Sequence, residues 1–159
     1  MIYAGTGHRP PKLGGYDNMP KLVEFAIEAV NDREDLEEII TGMALGWDMA
    51  LAEAAWALEI PFIAAIPFKG QEGRWPIMLQ KRYHELVERA SHVHVVCPQY
   101  NKGVFHRRNK WMVDNGDMVL ALWNGDRAGG TYNCVEYAKR TKTPIRNEWE
   151  AWRKFNGQV

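Results

Sequence analysis

Short apolar segments alternate with longer segments of helical periodicity along most of the chain. The strand-like segments lie at 1–4, 38–41, 61–67, 92–97, 117–123 and 144–146, and helical patterns lie between them. A strand, a crossing helix and a further strand are the repeating unit of a parallel sheet. The pattern therefore predicts an α/β fold of the Rossmann-like kind, with three layers and a mostly parallel sheet flanked by helices.

Size and charge limit the classes of function that fit. The 159 residues are 46% hydrophobic, which suits one core, so we expect a single domain over residues 1–159. Lys plus Arg and Asp plus Glu both number 20, so the chain has no net positive charge that would attract nucleic acid. No apolar run approaches the roughly 20 residues of a membrane helix, and Cys97 and Cys134 have no CxxC partner. We expect a cytoplasmic protein with no membrane contact, no metal and no resident cofactor.

The first candidate loop is GTGHRP, directly after the first strand-like segment. Glycine and proline predict a turn that neither a strand nor a helix continues through. Gly5 and Gly7 allow the backbone to approach a ligand closely, while Thr6, His8 and Arg9 supply polar groups for an anion or a base edge. The alternative is a tight turn with solvated side chains.

The second candidate loop, TGMALGWD, follows the second strand-like segment. Gly42 and Gly46 free the backbone to curl, and Asp48 falls at the start of a helix. There it is a candidate to accept ribose hydroxyls, although capping of the helix would also explain an aspartate.

The third candidate loop, NGDRAGGT, precedes another helix. Free backbone N–H groups at a helix start favour anions, and a threonine hydroxyl adds a donor. Gly129, Gly130 and Thr131 are therefore candidate phosphate-binding residues, the alternative being a glycine turn with a threonine cap. Because ligands of parallel sheets bind beyond the carboxyl ends of the strands, the three loops together predict one binding pocket.

Several of these segments resemble the SLOG superfamily, which joins DprA (Smf) to the LOG proteins. TGMALGWDMALAEAA resembles its SG-x-A-x-G-x-D-x-x-A signature, and GDRAGGT resembles its second glycine motif. GTGHRP, RRNKWMVDNGDMVLALW and GGTYNCVEYA are most similar to the YpsA-like branch. The resemblance covers residues 2 to about 142, with the motifs in the order of the family.

The resemblance implies a Rossmann-like domain whose glycine loops bind a nucleotide or a nucleotide-derived, phosphorylated small molecule. In the segment similar to R-N-x-x-M-V, one of Arg107 and Arg108 is expected to reach a phosphate and the other to be exposed, and Arg108 is the candidate phosphate-binding residue. LOG proteins hydrolyse the N-glycosidic bond of nucleoside monophosphates, and they carry a glutamate three residues after the motif threonine. Cys134 occupies that place in this chain, and the nearest glutamate is Glu136.

Three alternatives stay open beside small-molecule binding. If the protein is a nucleotide N-glycosidase, Asp48 and Glu72 are the candidate catalytic carboxylates. A DprA-like single-strand nucleic-acid function would use the basic segment 102–110. A homo-oligomer is also open, because Trp149 and Trp152 share one face of a terminal helix and are expected to cover either the sheet edge or a partner.

Overall fold

A computed structural model describes residues 1–31 and 33–158 and contains one six-stranded sheet with helices on both faces. The strands are β1 (Ile2–Gly7), β2 (Glu38–Thr41), β3 (Phe62–Phe68), β4 (His92–Cys97), β5 (Met118–Leu122) and β6 (Ile145–Asn147). The α-helices are α1 (Met19–Asn31), α2 (Trp47–Ala57), α3 (Ile77–Arg89), α4 (Val104–Asn115), α5 (Gly130–Arg140) and α6 (Trp149–Phe155). Two short 3₁₀ turns, Pro10–Lys12 and Tyr16–Asn18, connect β1 to α1.

The strand order is β4-β3-β2-β1-β5-β6, and every neighbouring pair is parallel. The predicted three-layer α/β fold is confirmed. After β1 the chain adds strands on one side as far as β4, and it then returns to the other side of β1 with β5. In such sheets a crevice opens where the order reverses, beyond the carboxyl ends of the two strands. The topology therefore predicts the position of a site between β1 and β5.

Side chains alternate between two apolar layers along the central strands, as the period of two requires. Tyr3 and Ile39 belong to a core shared with α1, α2, α3 and α6, whereas Ala4 and Ile40 belong to a cluster with Met112 of α4. A further cluster joins β5 to α4 and α5. Because both faces of the sheet are covered, the central strands are almost uniformly apolar.

The first strand continues to Gly7, so the prediction that it ends at Ala4 is wrong. Gly5 and Gly7 pair with Leu120 and Leu122 of β5. A Cβ on Gly5 would collide with Leu51 of α2, and a Cβ on Gly7 would lie 2.6 Å from Trp47. These glycines are needed because α2 packs closely on the strand and leaves no room for a side chain.

The terminal helix α6 packs on the same core. Trp152 is fully buried, with its ring centroid 5.4 Å from that of Phe25 in α1. Trp149 lies against His8, with ring centroids 5.7 Å apart in an edge-to-face arrangement. Both tryptophans thus have contacts within their own chain. Across the described residues, no helix combines the length and the apolar character needed to cross a bilayer.

Candidate functional site

A cleft of about 430 Å³ lies at the carboxyl ends of β1 and β5, where the strand order reverses. The loop after β1, the first turns of α2 and α4, and the glycine loop before α5 form its walls. The predicted site residues that line it are Thr6, Gly7, His8, Arg9, Asp48, Arg108, Gly129, Gly130 and Thr131. Residues that are more than a hundred positions apart in the sequence therefore share one cavity.

Three predicted glycines lie behind the cleft wall rather than in it. Gly5 packs under Leu51 of α2. Gly46 has φ +97 and lies directly against the backbone oxygen of His8, so a side chain there would be strained and obstructed. A Cβ on Gly42 would lie 2.7 Å from the Asp48 carboxylate. These glycines allow the cleft-lining segments to pack closely together.

The structure does not bring Glu72 into the cleft, which corrects its proposed position beside a reacting group. Its Oε2 lies 3.2 Å from Nε2 of His84 in α3, and its side chain is 12% exposed. The neighbouring Gln71 reaches inward instead, donating to the carbonyl oxygen of Gly42 at 3.2 Å. A general acid or base must lie within hydrogen-bond reach of the reacting atoms. Asp48 is therefore the remaining predicted catalytic carboxylate in the cleft.

The buried guanidinium of Arg108 forms the floor of the cleft. Its Nη1 donates to the carbonyl oxygens of Gly42 and Ala65, at 2.6 and 3.3 Å, and its Nε donates to Asn109 at 3.0 Å. Burial lowers the pKa of Arg108, while the nearby Asp48 carboxylate opposes that shift. A guanidinium stays protonated at any physiological pH, so the floor carries a fixed positive charge.

Asp48 places a buried carboxyl group beside that charge. It is the second residue of α2, and its Oδ2 accepts a long hydrogen bond from the backbone N–H of Ala44 at 3.4 Å. Burial raises its pKa from 3.8 to about 6, and Arg108, the Ala44 amide and Arg9 oppose the rise. The carboxyl group is thus mostly ionised at neutral pH and within reach of protonation near pH 6.

The N-terminus of α5 supplies unsatisfied backbone donors. Gly129 precedes the helix with φ +98 and makes no side-chain cap, and the first helical bond into it comes from Asn133. The amides of residues 130–132 therefore precede the intrahelical hydrogen bonds. Gly129, Gly130 and Thr131 line the cleft, and a Cβ on Gly129 or Gly130 would meet nothing within 4 Å, so this end of α5 borders open space. An anion fits this position.

His8 is buried and neutral. Its Nε2 accepts a hydrogen bond from the backbone N–H of Asn124 at 2.9 Å, so the ring proton resides on Nδ1. Burial lowers its pKa. This bond ties the loop after β1 to the loop after β5, and it makes His8 a structural bridge across the cleft as well as a potential N–H donor.

Cys134 lies beneath the cleft lining. Burial raises the pKa of its thiol to about 11, and the nearby Thr6 hydroxyl opposes the rise. The thiol is therefore mostly protonated at neutral pH, and little nucleophilic thiolate is present. The position at which the resemblance to the LOG proteins would place a glutamate thus holds a buried, protonated thiol.

Sequence reasoning missed several residues of the cleft. Lys12 and Pro11 lie just beyond the predicted first loop, and their closeness in sequence to Arg9 could have placed them in the cleft. Phe105, Asn109, Ala44 and Ala128 also line the cleft. No sequence signal marks Phe105, because a phenylalanine on an amphipathic helix is typical of a core position.

The basic segment 102–110 does not form a single charged track. Arg108 points into the floor of the cleft, whereas Arg107 is exposed and donates to Asn101 at 2.8 Å. Lys110 lies 5.5 Å from the ring of Tyr137 in α5. The charges of this helix are thus distributed around its circumference.

One family model and several relatives match most of this chain. The family model YpsA, described as the YspA SLOG family, matches residues 4–150. A UPF0398 protein of Oceanobacillus iheyensis is 27% identical over 148 residues, which cover 86% of this chain and 80% of that protein. A UPF0398 protein of Halalkalibacterium halodurans is 24% identical over 169 residues, which cover 92% and 89%.

Two solved structures share the fold. DNA processing protein A from Helicobacter pylori, whose structure describes a single-stranded DNA binding mode, has a TM-score of 0.65 at 19% identity, with 100% of this chain and 74% of that chain covered. DNA processing protein A from Streptococcus pneumoniae has a TM-score of 0.61 at 20% identity, with 91% of this chain and 48% of that chain covered. The resemblance to the SLOG superfamily is confirmed, and the chain belongs to the YspA SLOG family, the family of the YpsA model.

Proposed function

We propose that this protein binds a nucleotide or a nucleotide-derived, phosphorylated small molecule in the cleft between β1 and β5. The observation that carries the proposal is the uncapped N-terminus of α5, which opens into the same cavity as two guanidinium groups, Arg9 and Arg108. Helix N-termini and arginines both favour phosphate, and here they converge.

The charge of the cleft supports an anionic ligand. Arg9, Lys12 and Arg108 line it against one carboxylate, Asp48. Lys12 is partly neutralised by Asp126, whose Oδ2 lies 2.9 Å from its Nζ. The surplus is positive, so a phosphate would be attracted into the cavity even though the chain as a whole is neutral.

Asp48 supports the nucleoside part of the proposal. A carboxylate accepts hydrogen bonds from hydroxyl groups, and a ribose presents two vicinal ones. The carboxylate lies on the cleft wall contributed by α2, whereas the open amides lie on the wall contributed by α5. A nucleoside phosphate would therefore place its ribose against one wall and its phosphate against the other.

Ligand binding is tested by thermal shift and isothermal titration calorimetry with nucleoside 5′-monophosphates, the corresponding nucleosides and ADP-ribose. A ligand present at about 100 times its Kd should stabilise the fold by about 2.7 kcal/mol. Arg9→Gln should weaken binding of the phosphorylated ligand and leave nucleoside binding unchanged. Arg74→Gln is the matched control, because Arg74 is exposed and lies outside the cleft. If no phosphorylated compound binds, the proposal is wrong.

A second candidate function, nucleotide N-glycosidase activity, is favoured by one observation. The buried carboxyl group of Asp48 has a pKa of about 6, near the pH at which a general acid or base is most effective. Chromatography after incubation with each nucleotide should then show free base with the wild-type protein and none with Asp48→Asn. A wild-type protein that binds nucleotides and releases no base is a binding protein alone.

A further inference from the structure

A row of three aromatic rings leads away from the cleft along the carboxyl edge of the sheet. Phe105, in the first turn of α4, lines the cleft. Its ring centroid lies 5.9 Å from that of Phe68, the last residue of β3, and Phe68 lies 5.5 Å from Tyr100 in the loop after β4. The row therefore begins inside the proposed nucleotide site and ends outside it.

The outer end of the row is open to solvent. Tyr100 is 65% exposed, while Phe68 and Phe105 are half-buried. An aromatic ring that serves packing alone buries most of its surface, because that burial is the source of its stabilising effect. Tyr100 instead contacts one neighbouring ring and leaves most of its own surface free.

The charge around the row favours a polyanion. Residues 98–113 contain no aspartate or glutamate, and of their four lysines and arginines Lys102 and Arg107 are exposed. The guanidinium carbons of Arg9 and Arg108 each lie 6.0 Å from the centroid of Phe105. Exposed rings interleaved with cations are the surface on which successive nucleobases stack while phosphates are neutralised.

From this juxtaposition we propose that the Phe105, Phe68 and Tyr100 row is a second base-binding subsite, and that the protein takes ligands with two nucleosides joined through phosphate. The inference rests on the proposed nucleotide site, which would hold the first nucleoside and the terminal phosphate. Arg9 lines the cleft and lies 6.0 Å from Phe105, the first ring of the row, so in a dinucleotide it could contact the linking phosphate as well as the phosphate of the first nucleotide. The second base would stack at the Tyr100 end.

The test compares mononucleotides with dinucleotides by isothermal titration calorimetry. The probes are the four nucleoside 5′-monophosphates, the four 5′-phosphorylated homodinucleotides and a 5′-phosphorylated single strand of ten nucleotides. The proteins are wild type, Tyr100→Ala, Tyr100→Trp and Tyr16→Ala. The last is the matched control, because Tyr16 is 49% exposed and lies outside the cleft.

Stacking of one base should make at least one dinucleotide bind about 5-fold or more tighter than its mononucleotide. Tyr100→Ala should remove that difference without changing mononucleotide affinity, and Tyr100→Trp and Tyr16→Ala should retain it. If the ten-nucleotide strand binds no tighter than the dinucleotide, the two subsites serve a small dinucleotide ligand. If it binds much tighter, they serve a longer single strand.

Two results would contradict the second base-binding subsite. One is equal affinity of the wild-type protein for mononucleotides and dinucleotides. The other is a Tyr100→Ala variant that still binds the dinucleotide more tightly than the mononucleotide by the wild-type factor. Failure of every mononucleotide and dinucleotide to bind the wild-type protein would instead overturn the proposed nucleotide site itself.

Discussion

The Nη1 group of Arg108 donates a hydrogen bond to the carbonyl oxygen of Gly42, 2.6 Å away. The bond joins α4 on one face of the sheet to the carboxyl end of β2. A Cβ on the same glycine would lie 2.7 Å from the Asp48 carboxylate, so Gly42 packs against both buried charged groups of the cleft. The stability of the fold and the electrostatics of the site are thus coupled at this point.

Replacing Arg108 should destabilise the protein strongly. Arg108→Met removes a charged donor from the carbonyl oxygens of Gly42 and Ala65, leaves only Gln71 bonded to Gly42, and removes the cation beside Asp48. We expect a loss of about 2–4 kcal/mol in the free energy of unfolding, measured by urea denaturation. Arg107→Met, an exposed neighbour, should change it by only about 0.5 kcal/mol. Equal effects of the two substitutions would contradict the role of Arg108.

Adding a methyl group at Gly42 should be costly, whereas adding one at Gly130 should not. A Cβ at Gly42 would lie 2.6 Å from Nη1 of Arg108, and a Cβ at Gly130 would meet nothing within 4 Å. We expect Gly42→Ala to lose about 1–3 kcal/mol in thermal or urea unfolding. Gly130→Ala should be neutral or slightly stabilising, because alanine orders the helix start at lower entropic cost. A stable Gly42→Ala protein would show that the contact readily relaxes.

The buried carboxyl group of Asp48 predicts a specific pH dependence of stability. Its pKa is about 6 in the folded protein and near 3.8 when unfolded, so between these values the folded state binds more protons. Stability therefore falls as pH rises through this window, by up to about 3 kcal/mol. Asp48→Asn lacks the titrating carboxyl group and should not show this fall. Between pH 4 and pH 7 the wild-type protein should therefore lose free energy of unfolding relative to the variant. Parallel pH profiles of the two proteins would disprove the raised pKa.

The thiol of Cys134 should resist alkylation. Its pKa of about 11 and its burial leave little thiolate at pH 8. We expect iodoacetamide to modify Cys134 at least about 100-fold more slowly in the native protein than in denaturant. Peptide mass spectrometry resolves it from Cys97. Rapid native modification of Cys134 would revive a chemical role for the position that holds glutamate in the LOG proteins.

The elements of the fold could be predicted because their signals are local. The strand His92–Cys97 has the boundaries of the predicted apolar segment, and a helix, Ile77–Arg89, lies between it and the preceding strand as the helical pattern predicts. The end of β1 could not be predicted in this way. Gly5 and Gly7 are required by the packing of α2 on the strand, and no pattern within residues 5–10 shows which helix will lie against them.

The loops of the site could be predicted from topology, but the orientation of single side chains could not. Gly129, Gly130 and Thr131 line the cleft because a helix start after a central strand must lie at that edge of the sheet. Glu72 also follows a central strand, yet it turns toward His84. Phe105 enters the cleft because of the rotation of α4 about its axis, which tertiary packing determines.

The bond between the Asn124 amide and the His8 imidazole spans 116 positions of the sequence. No local fragment of the chain can assemble the cleft, since its two sides meet only when β5 has docked beside β1. A bound ligand should therefore protect the amides of both strands from hydrogen exchange together. Ligand binding would then require the complete fold, because a partly folded chain would have no cleft in which to hold the ligand.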